Sequence, residues 1–255
     1  MARKKKGNKI DGWINFNKPY DMTSTDAVRF LKRTLKPQKI GHAGTLDPLA
    51  KGILPIALGE ATKTIPFVQD SEKTYGFTAT WGEQRSTDDL EGEVIASSAE
   101  RPSRADVEAL LPKYIGTVTQ TPPKFSAIKI NGARAYDLAR DGEDFEVPTR
   151  QVEIYDLHIT AHTDTSTSFE VTCGKGTYVR AIARDIGTEL GCYGYVSELN
   201  RKKVGCFTLE NAFSLDFFEK MDDSAALEDV ILPVHYALDD IPAVIKGAKQ
   251  QRAAL

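Results

Sequence analysis

Cysteine is scarce in this sequence of 255 residues, and no long apolar run occurs. The three cysteines, Cys173, Cys192 and Cys206, are odd in number and lack the spacing of metal ligands, which indicates reduced thiols. No segment approaches the ~20 apolar residues of a membrane-spanning helix. The basic start MARKKKGNK is not followed by the apolar stretch of a secretory signal. We therefore expect a cytoplasmic protein with no disulfide framework, no metal site and no membrane partner.

A net excess of basic charge is also missing, since the formal net charge is −3 at pH 7. The acidic residues are concentrated in two segments. Residues 83–108 contain eight acidic and three basic side chains, and residues 210–240 contain nine and one. The rest of the chain therefore carries a net charge of +10. Such a surface could bind a polyanion, although solvated lysines scattered over a globular protein explain the same count equally well.

The composition, 41% hydrophobic and 27% charged, is that of an ordinary globular protein. Alternating patterns predict strands at residues 10–17 and 73–82, and a helical pattern capped by Thr23 or Ser24 follows the first of them. A second helix should end at Gly191. Strands and helices are mixed rather than strictly alternating, which favours an α+β fold with a largely antiparallel sheet.

The chain divides into three stretches, and the second contains an insertion. Residues 1–9 form a basic tail, and residues 10–213 contain the regular pattern of a single domain. Within that domain, residues 119–150 are irregular, with three prolines, an Asn-Gly hairpin signal and many Lys, Arg, Tyr and Phe residues. This mixture suits an excursion that faces RNA as well as it suits a structural loop. Residues 214–255 are acidic and have a helical pattern.

One carboxylate stands out in the segment IGHAGTLDPLAKGILPIALGEATK, residues 40–63. Asp47 lies among small, apolar and turn-forming residues, and Pro48 biases it away from helix. The apolar run that follows has the length and composition of a buried strand. Asp47 therefore lies on a shaped loop that enters the core, where it either hydrogen-bonds the loop into shape or is presented to a ligand.

Three further features could converge on this loop. Tyr75 follows Lys73 at the start of a strand, and Lys63 follows the apolar run. Tyr178 and Arg180 come directly after Gly-Lys-Gly at a helix start, where free backbone N–H groups favour anions. Each feature also has an ordinary explanation. Asp-Pro is common in turns, a strand tyrosine is usually half-buried packing, and a helical arginine is usually solvated.

Four motifs in this order and spacing resemble the bacterial TruB family, the tRNA pseudouridine-55 synthases. They are GHAGTLDPLAKGIL, KTY, CGKGTYVRAIARDIG and SELNRKKVG. The G-x-L-D-P core of the first is highly specific, and the resemblance extends from about Gly12 to Phe213. It implies the pseudouridine synthase fold, in which helices flank a central mixed sheet. It also implies that residues 119–150 are a thumb-like insertion that closes over RNA.

The resemblance implies an isomerisation of uridine 55 in the T loop of tRNA. The bond between N1 of uracil and C1′ of ribose breaks, the base turns, and C5 is joined to C1′. Because net composition does not change, no cofactor is required. Asp47 matches the catalytic aspartate, and Arg180 would pair with it and hold its orientation. Whether Asp47 attacks C1′, attacks C6 or acts as a base at C2′ stays open.

The remaining roles are also implied by matching position. Tyr75 would stack on uracil and assist proton transfer at C5. Tyr178 and Leu199 would line the pocket for the flipped uridine, and His42 would take up the space that the base leaves. Phosphates of the tRNA T arm would be bound by cations at Lys63, Lys124, Lys129, Arg134, Arg201 and Lys202.

The sequence departs from the family pattern at its end. The chain stops at Leu255, too soon for the small RNA-binding domain of the PUA kind that commonly follows, so it is either a naturally short member or truncated. Trp81 and Cys206 also differ from the usual residues but lie outside the predicted chemistry. We expect a monomer without an obligatory protein partner. Two alternatives remain, an RNA-guided synthase within a larger particle and a tRNA-folding chaperone without catalysis.

Overall fold

The computed structural model describes residues 7–130, 132–221 and 229–238. Its strands are β1 (Gly12–Lys18), β2 (Ile40–His42), β3 (Ala50–Leu58), β4 (Lys73–Trp81), β5 (Glu83–Arg85), β6 (Val94–Ser97), β7 (Gly116–Gln120), β8 (Lys129–Ile130), β9 (Ala133–Arg134), β10 (Arg150–His162), β11 (Ser166–Cys173), β12 (Gly194–Val204), β13 (Phe207–Thr208) and β14 (Phe213–Ser214). Its α-helices are α1 (Ser24–Leu35), α2 (Ile65–Asp70), α3 (Arg104–Leu110), α4 (Ala135–Arg140), α5 (Val179–Glu189) and α6 (Leu215–Glu219). Short 3-10 helices lie at Gly59–Lys63, Leu111–Tyr114, Leu209–Asn211 and Val234–Leu238.

A ten-stranded sheet forms the centre of the fold, with the order β14-β1-β3-β12-β4-β11-β10-β7. β13 and β2 join it beside β12 and β3. The pairs β1–β14 and β3–β12 are parallel, and the other pairs are antiparallel. The prediction of an α+β fold with a mixed, largely antiparallel sheet flanked by helices is therefore confirmed.

The apolar run after Asp47 becomes the central strand β3. It lies between β1 and β12, and Lys51 is the one exposed residue among its nine. Gly52 lets β12 approach closely. Its φ is +111°, and a Cβ atom there would lie 2.2 Å from the carbonyl oxygen of Arg201. Only glycine fits such a position, so Gly52 lets β3, and with it the loop of Asp47, lie directly beside β12.

Helix α5 packs across β12 and β4 and covers one face of the sheet. Its residues Val179, Ile182, Ala183 and Ile186 belong to a cluster with side chains of β4 and β11, among them Trp81 and Phe169. Helix α1 covers β1 and β3 in a second cluster, and Thr23 caps its start by accepting a hydrogen bond from the backbone N–H of Asp26. Both helices thus hold the strands that carry the site.

The irregular stretch predicted at 119–150 lies between two neighbouring strands. Gln120 at the end of β7 pairs with Arg150 at the start of β10, so the chain leaves and re-enters the sheet at adjacent positions. Between them, the hairpin β8–β9 and helix α4 project from the sheet, and Asn131 lies outside the described residues. We call residues 121–149 the thumb segment.

The described part after residue 213 packs on the first strand. Leu232 and Trp13 exchange two backbone hydrogen bonds of 2.8 Å, and Phe218 and Val230 are buried in the cluster of α1 and β1. Residues 1–6, 222–228 and 239–255 lie outside the described residues, so most of the predicted tail 1–9 and most of the predicted acidic helical segment do as well. None of the helices in the described ranges is long and apolar enough to span a membrane.

Candidate active site

Asp47 lies on the loop between β2 and β3, which is held by groups other than its own side chain. The buried hydroxyl of Ser24 donates to the carbonyl of Leu46 and accepts from its N–H, at 3.0 and 2.9 Å. The N–H of Ala43 donates to the carbonyl of Pro55 at 2.9 Å. The Asp47 carboxylate remains 38% exposed. The loop is therefore preformed, and it presents the carboxylate to solvent.

Arg180 forms an ion pair with Asp47, with Nε 3.0 Å from Oδ2. Its side chain is 7% exposed, and its other nitrogens are bound as well. Nη1 donates to the carbonyl of Thr87 at 2.7 Å and lies 3.3 Å from Oδ2 of Asp89, while Nη2 donates to the carbonyl of Phe125 at 3.1 Å. These contacts fix the guanidinium so that it can orient Asp47.

Asp89 was not predicted from the sequence as a site residue. It lies in the acidic turn STDDLEG, which reads as a polar connection between strands. In the structure its carboxylate accepts hydrogen bonds from the Thr87 hydroxyl and from the N–H of Glu91, at 2.5 and 3.0 Å. With Asp47, Arg180 and Leu199 it lines a small open cleft. Asp89 differs from the neighbouring acidic residues by its contact with Arg180. Because Arg180 is distant in sequence, no local sequence pattern predicts this contact.

Tyr75 lies on β4 opposite Arg201 of β12 and Val171 of β11. It is partly buried and packs against the cluster under α5. Burial raises the pKa of its hydroxyl above the ordinary value, and a hydrogen bond with Arg201 works in the other direction. Tyrosine is already protonated at neutral pH, and the raised pKa keeps the ring neutral there, which suits stacking on a base.

Arg201 does not have the role predicted for it. Arg201 is only 2% exposed. Its guanidinium donates to the carbonyls of Ile53, Gly44 and Thr45 at 2.7, 3.1 and 3.3 Å. The prediction of an RNA phosphate contact is wrong, because these donors face the protein interior and already bind the active-site loop. Lys202, its neighbour, is partly exposed and lies 2.6 Å from Glu170, so its phosphate contact stays a prediction.

We expect Arg201→Met to lower the free energy of unfolding by about 3 kcal/mol, because several carbonyls would stay buried without a donor. Urea unfolding measures the change. Lys51→Met, on the exposed position of the adjacent strand β3, is the control and should stay within about 0.5 kcal/mol of the original protein. Equal stability of the two variants would contradict this structural role of Arg201.

Lys18 is a second residue that sequence reasoning missed. It is fully buried, and its ammonium donates to the carbonyls of Pro19, Met22 and Pro48 at 2.9, 2.6 and 3.2 Å. Burial lowers its pKa to about 8, and the nearby charge of Asp47 opposes this shift. Lys18 therefore joins the turn after β1 to the residue that follows Asp47.

The residues predicted to bind the base lie on different elements of the fold. Leu199 lines the cleft with Asp47. Tyr178 precedes α5, and the Gln120 amide holds its N–H and carbonyl at 2.8 and 3.1 Å. His42 lies on β2 and is partly buried, and this burial lowers its pKa so that the imidazole is neutral at pH 7. Their contacts with a base stay predictions.

Lys63 is not brought to the cleft. It follows the far end of β3, a strand of nine residues that is roughly 26 Å long. Its ammonium is exposed and lies 2.5 Å from Glu60. Lys63 is not among the residues that line the cleft, and its contact with RNA stays a prediction.

The three cations predicted in the thumb segment are exposed. Lys129 and Arg134 face each other across the hairpin β8–β9, and Lys124 lies 3.8 Å from Asp144. None of the three lies in the cleft of Asp47. If they bind RNA, they therefore do so outside the chemical centre.

Comparison with known proteins places this site in a family. Residues 32–179 match the model of the TruB family pseudouridylate synthase N-terminal domain, and residues 180–239 match that of the tRNA pseudouridylate synthase B C-terminal domain. The chain belongs to the TruB family of pseudouridylate synthases. The first match contains the loop of Asp47 and the strand of Tyr75, and the second begins at Arg180.

Two curated TruB relatives are similar over most of their length. The tRNA pseudouridine synthase B of Caulobacter vibrioides is 54% identical over 245 residues, which cover 96% of this chain and 79% of the relative. That of Rhizobium etli is 54% identical over 251 residues, which cover 95% and 81%. A solved structure, a Cbf5-Nop10-Gar1 complex, aligns with a TM-score of 0.69 at 25% identity and covers 89% of this chain and 61% of that one.

Proposed function

We propose that this TruB-family enzyme isomerises uridine 55 in the T loop of tRNA to pseudouridine. The observation that carries the proposal is the pairing of Asp47, on a preformed loop, with the buried guanidinium of Arg180 at 3.0 Å. The names of the similar relatives, tRNA pseudouridine synthase B, support tRNA as the substrate. We place the reaction in the cytoplasm and assign it to a monomer acting without a protein partner.

The reaction requires a carboxylate beside C1′. As the bond between N1 and C1′ breaks, the ribose gains oxocarbenium character, which the Asp47 carboxylate can stabilise or trap. Arg180 holds that carboxylate in place, and the carbonyl of Thr87 and the carboxylate of Asp89 hold Arg180. After the base has turned, C5 is joined to C1′, the C5 proton is removed and N1 takes up a proton, so net composition does not change. Tyr75 is proposed to assist this transfer and to stack on the ring.

The target uridine must leave the stacked T loop to reach Asp47. Flipping a base costs a few kcal/mol, which contacts to the backbone and pocket must offset. Leu199 and Tyr178 are proposed to hold the flipped base, and His42 to occupy the space that it vacates. A neutral imidazole suits stacking against bases, and the lowered pKa of His42 keeps it neutral.

The direct test uses the purified protein and an unmodified tRNA transcript. Pseudouridine mapping should find the product at position 55, and a transcript with cytidine at that position should stay unmodified. The assay also separates the alternatives. An RNA-guided synthase would need an added guide RNA and partner proteins, and a chaperone would leave every uridine unchanged. Absence of product with the protein alone would contradict the proposal.

The thumb segment is proposed to contribute part of the affinity for tRNA. Changing Lys124, Lys129 and Arg134 together to Ala should raise KM for tRNA and flatten the salt dependence of binding, with little effect on turnover at saturating tRNA. Each lost phosphate contact reduces the slope of log K against log salt by about 0.9.

Binding titrations at several salt concentrations measure this slope. The matched control removes three other exposed cations, Arg29, Arg104 and Lys220, and should keep the original slope. An unchanged slope and KM in the thumb variant would mean that residues 121–149 are an ordinary surface loop.

A further inference from the structure

Two arginines one helical turn apart on α5 make the same kind of contact. Arg180 and Arg184 are spaced i and i+4, so they lie on one side of the helix. Arg180 donates to the carbonyl of Thr87 and to that of Phe125. Its partners thus lie both in the turn that contains Asp89 and in the thumb segment. Arg184 repeats this pattern on different partners.

The Arg184 guanidinium reaches the same two parts of the chain. Nη1 lies 2.8 Å from Oδ2 of Asp88, and Nη2 donates to the carbonyl of Thr121 at 2.7 Å. Nε donates to Oδ1 of Asp185 at 2.8 Å. Thr121 is the first residue of the thumb segment, immediately after β7. Arg184 therefore links the base of the thumb segment to the turn beside the catalytic pair.

The contact between Arg184 and Asp88 is largely removed from water, whereas the hydrogen bond to Thr121 lies at the surface. The side chains of Arg184 and Asp88 are 17% and 7% exposed, so the hydrogen bonds between opposite charges are stronger than surface pairs. Burial raises the pKa of Asp88 to about 6, and the charges of Arg184 and Arg180 oppose this shift. Asp88 also has a φ of +60°, and its carbonyl accepts from the N–H of Val196 at 3.0 Å. The turn is thus held on both sides.

We propose that Arg184 is a positioning residue that holds the base of the thumb segment against the turn of Asp88 and Asp89. RNA bound by the thumb segment then has a fixed position relative to the cleft and to Asp47. This role rests on the proposed function. Arg184 itself is not among the residues that line the cleft, so its effect passes through the chain segments that it joins.

The test compares Arg184→Gln with Arg184→Lys in hydrogen exchange and kinetics. In Arg184→Gln, backbone amides at residues 124–130 and 132–140 should exchange about tenfold faster, equivalent to ~1.4 kcal/mol of local opening. Amides of β4 and β11 should keep their rates. KM for tRNA should rise about tenfold, while kcat at saturating tRNA should stay within about threefold of the original. Lys restores the charge but not the forked geometry, so it should recover only part of the loss.

Arg29→Gln is the matched control, since Arg29 is an exposed arginine that pairs with Asp26 on α1. It should change neither exchange in the thumb segment nor KM. Unchanged thumb exchange in Arg184→Gln, or equal acceleration throughout the sheet, would overturn the proposal. So would a loss of kcat at constant KM. An inactive original protein would contradict the proposed function alone, and the exchange rates would still decide for or against Arg184.

Discussion

Asp47→Asn is expected to abolish pseudouridine formation and to leave folding and tRNA binding largely intact. The side chain keeps its shape but loses the negative charge on which each of the open roles of Asp47, attack at C1′ or C6 or proton removal at C2′, depends. The loop should not collapse, because Ser24 and the backbone of Ala43 hold it without the carboxylate. Arg180 should stay in place, since the carbonyls of Thr87 and Phe125 still bind it.

Single-turnover conversion of an unmodified tRNA transcript measures the effect, and a binding titration checks the affinity. We expect the rate to fall by at least about a thousandfold, or ~4 kcal/mol of transition-state stabilisation. Asp164→Asn, at an exposed position between β10 and β11, provides the control for removing one carboxylate. Activity within tenfold of the original protein would remove Asp47 from the catalytic role.

Tyr75→Phe is expected to bind tRNA almost normally and to turn over very slowly. The ring is retained, and base stacking on an aromatic ring contributes about 1–3 kcal/mol per base. The hydroxyl is lost, and with it the oxygen that is proposed to assist proton transfer at C5. The fold should persist, because Arg201 retains its bonds to the carbonyls of Ile53 and Gly44.

Equilibrium binding and single-turnover rates separate the two effects of this change. Tyr155→Phe, at an exposed tyrosine of β10, should affect neither and serves as the control. Full turnover by Tyr75→Phe would show that the hydroxyl takes no part in proton transfer. Loss of binding together with turnover would instead assign Tyr75 to substrate affinity.

Local sequence patterns were sufficient for several elements of the fold. The alternation in residues 10–17 and 73–82 predicted β1 and β4, and Thr23 was one of two residues predicted to cap α1. These elements depend on neighbours close in sequence, whose spacing decides which face is apolar. The Asp47 loop was also recognisable, because its glycines allow backbone angles closed to other residues and Pro48 restricts its own φ and that of Asp47.

Tertiary structure decided the parts that depend on residues distant in sequence. Arg201 looks like one of three successive surface cations, yet the register of β12 against β3 turns it into the interior and onto the active-site loop. Asp89 becomes part of the site through its contact with Arg180, which lies more than ninety residues away in the chain. Lys63 appears near Asp47 in the sequence, but the length of β3 separates the two.

The sequence by itself determined the family, the strands and the loop that presents Asp47. Only packing in three dimensions decided which charged side chains are buried, which ion pairs they form, and that Arg184 contacts the thumb segment. The physical reason is that strand register sets which charges lose contact with water and which partners they meet.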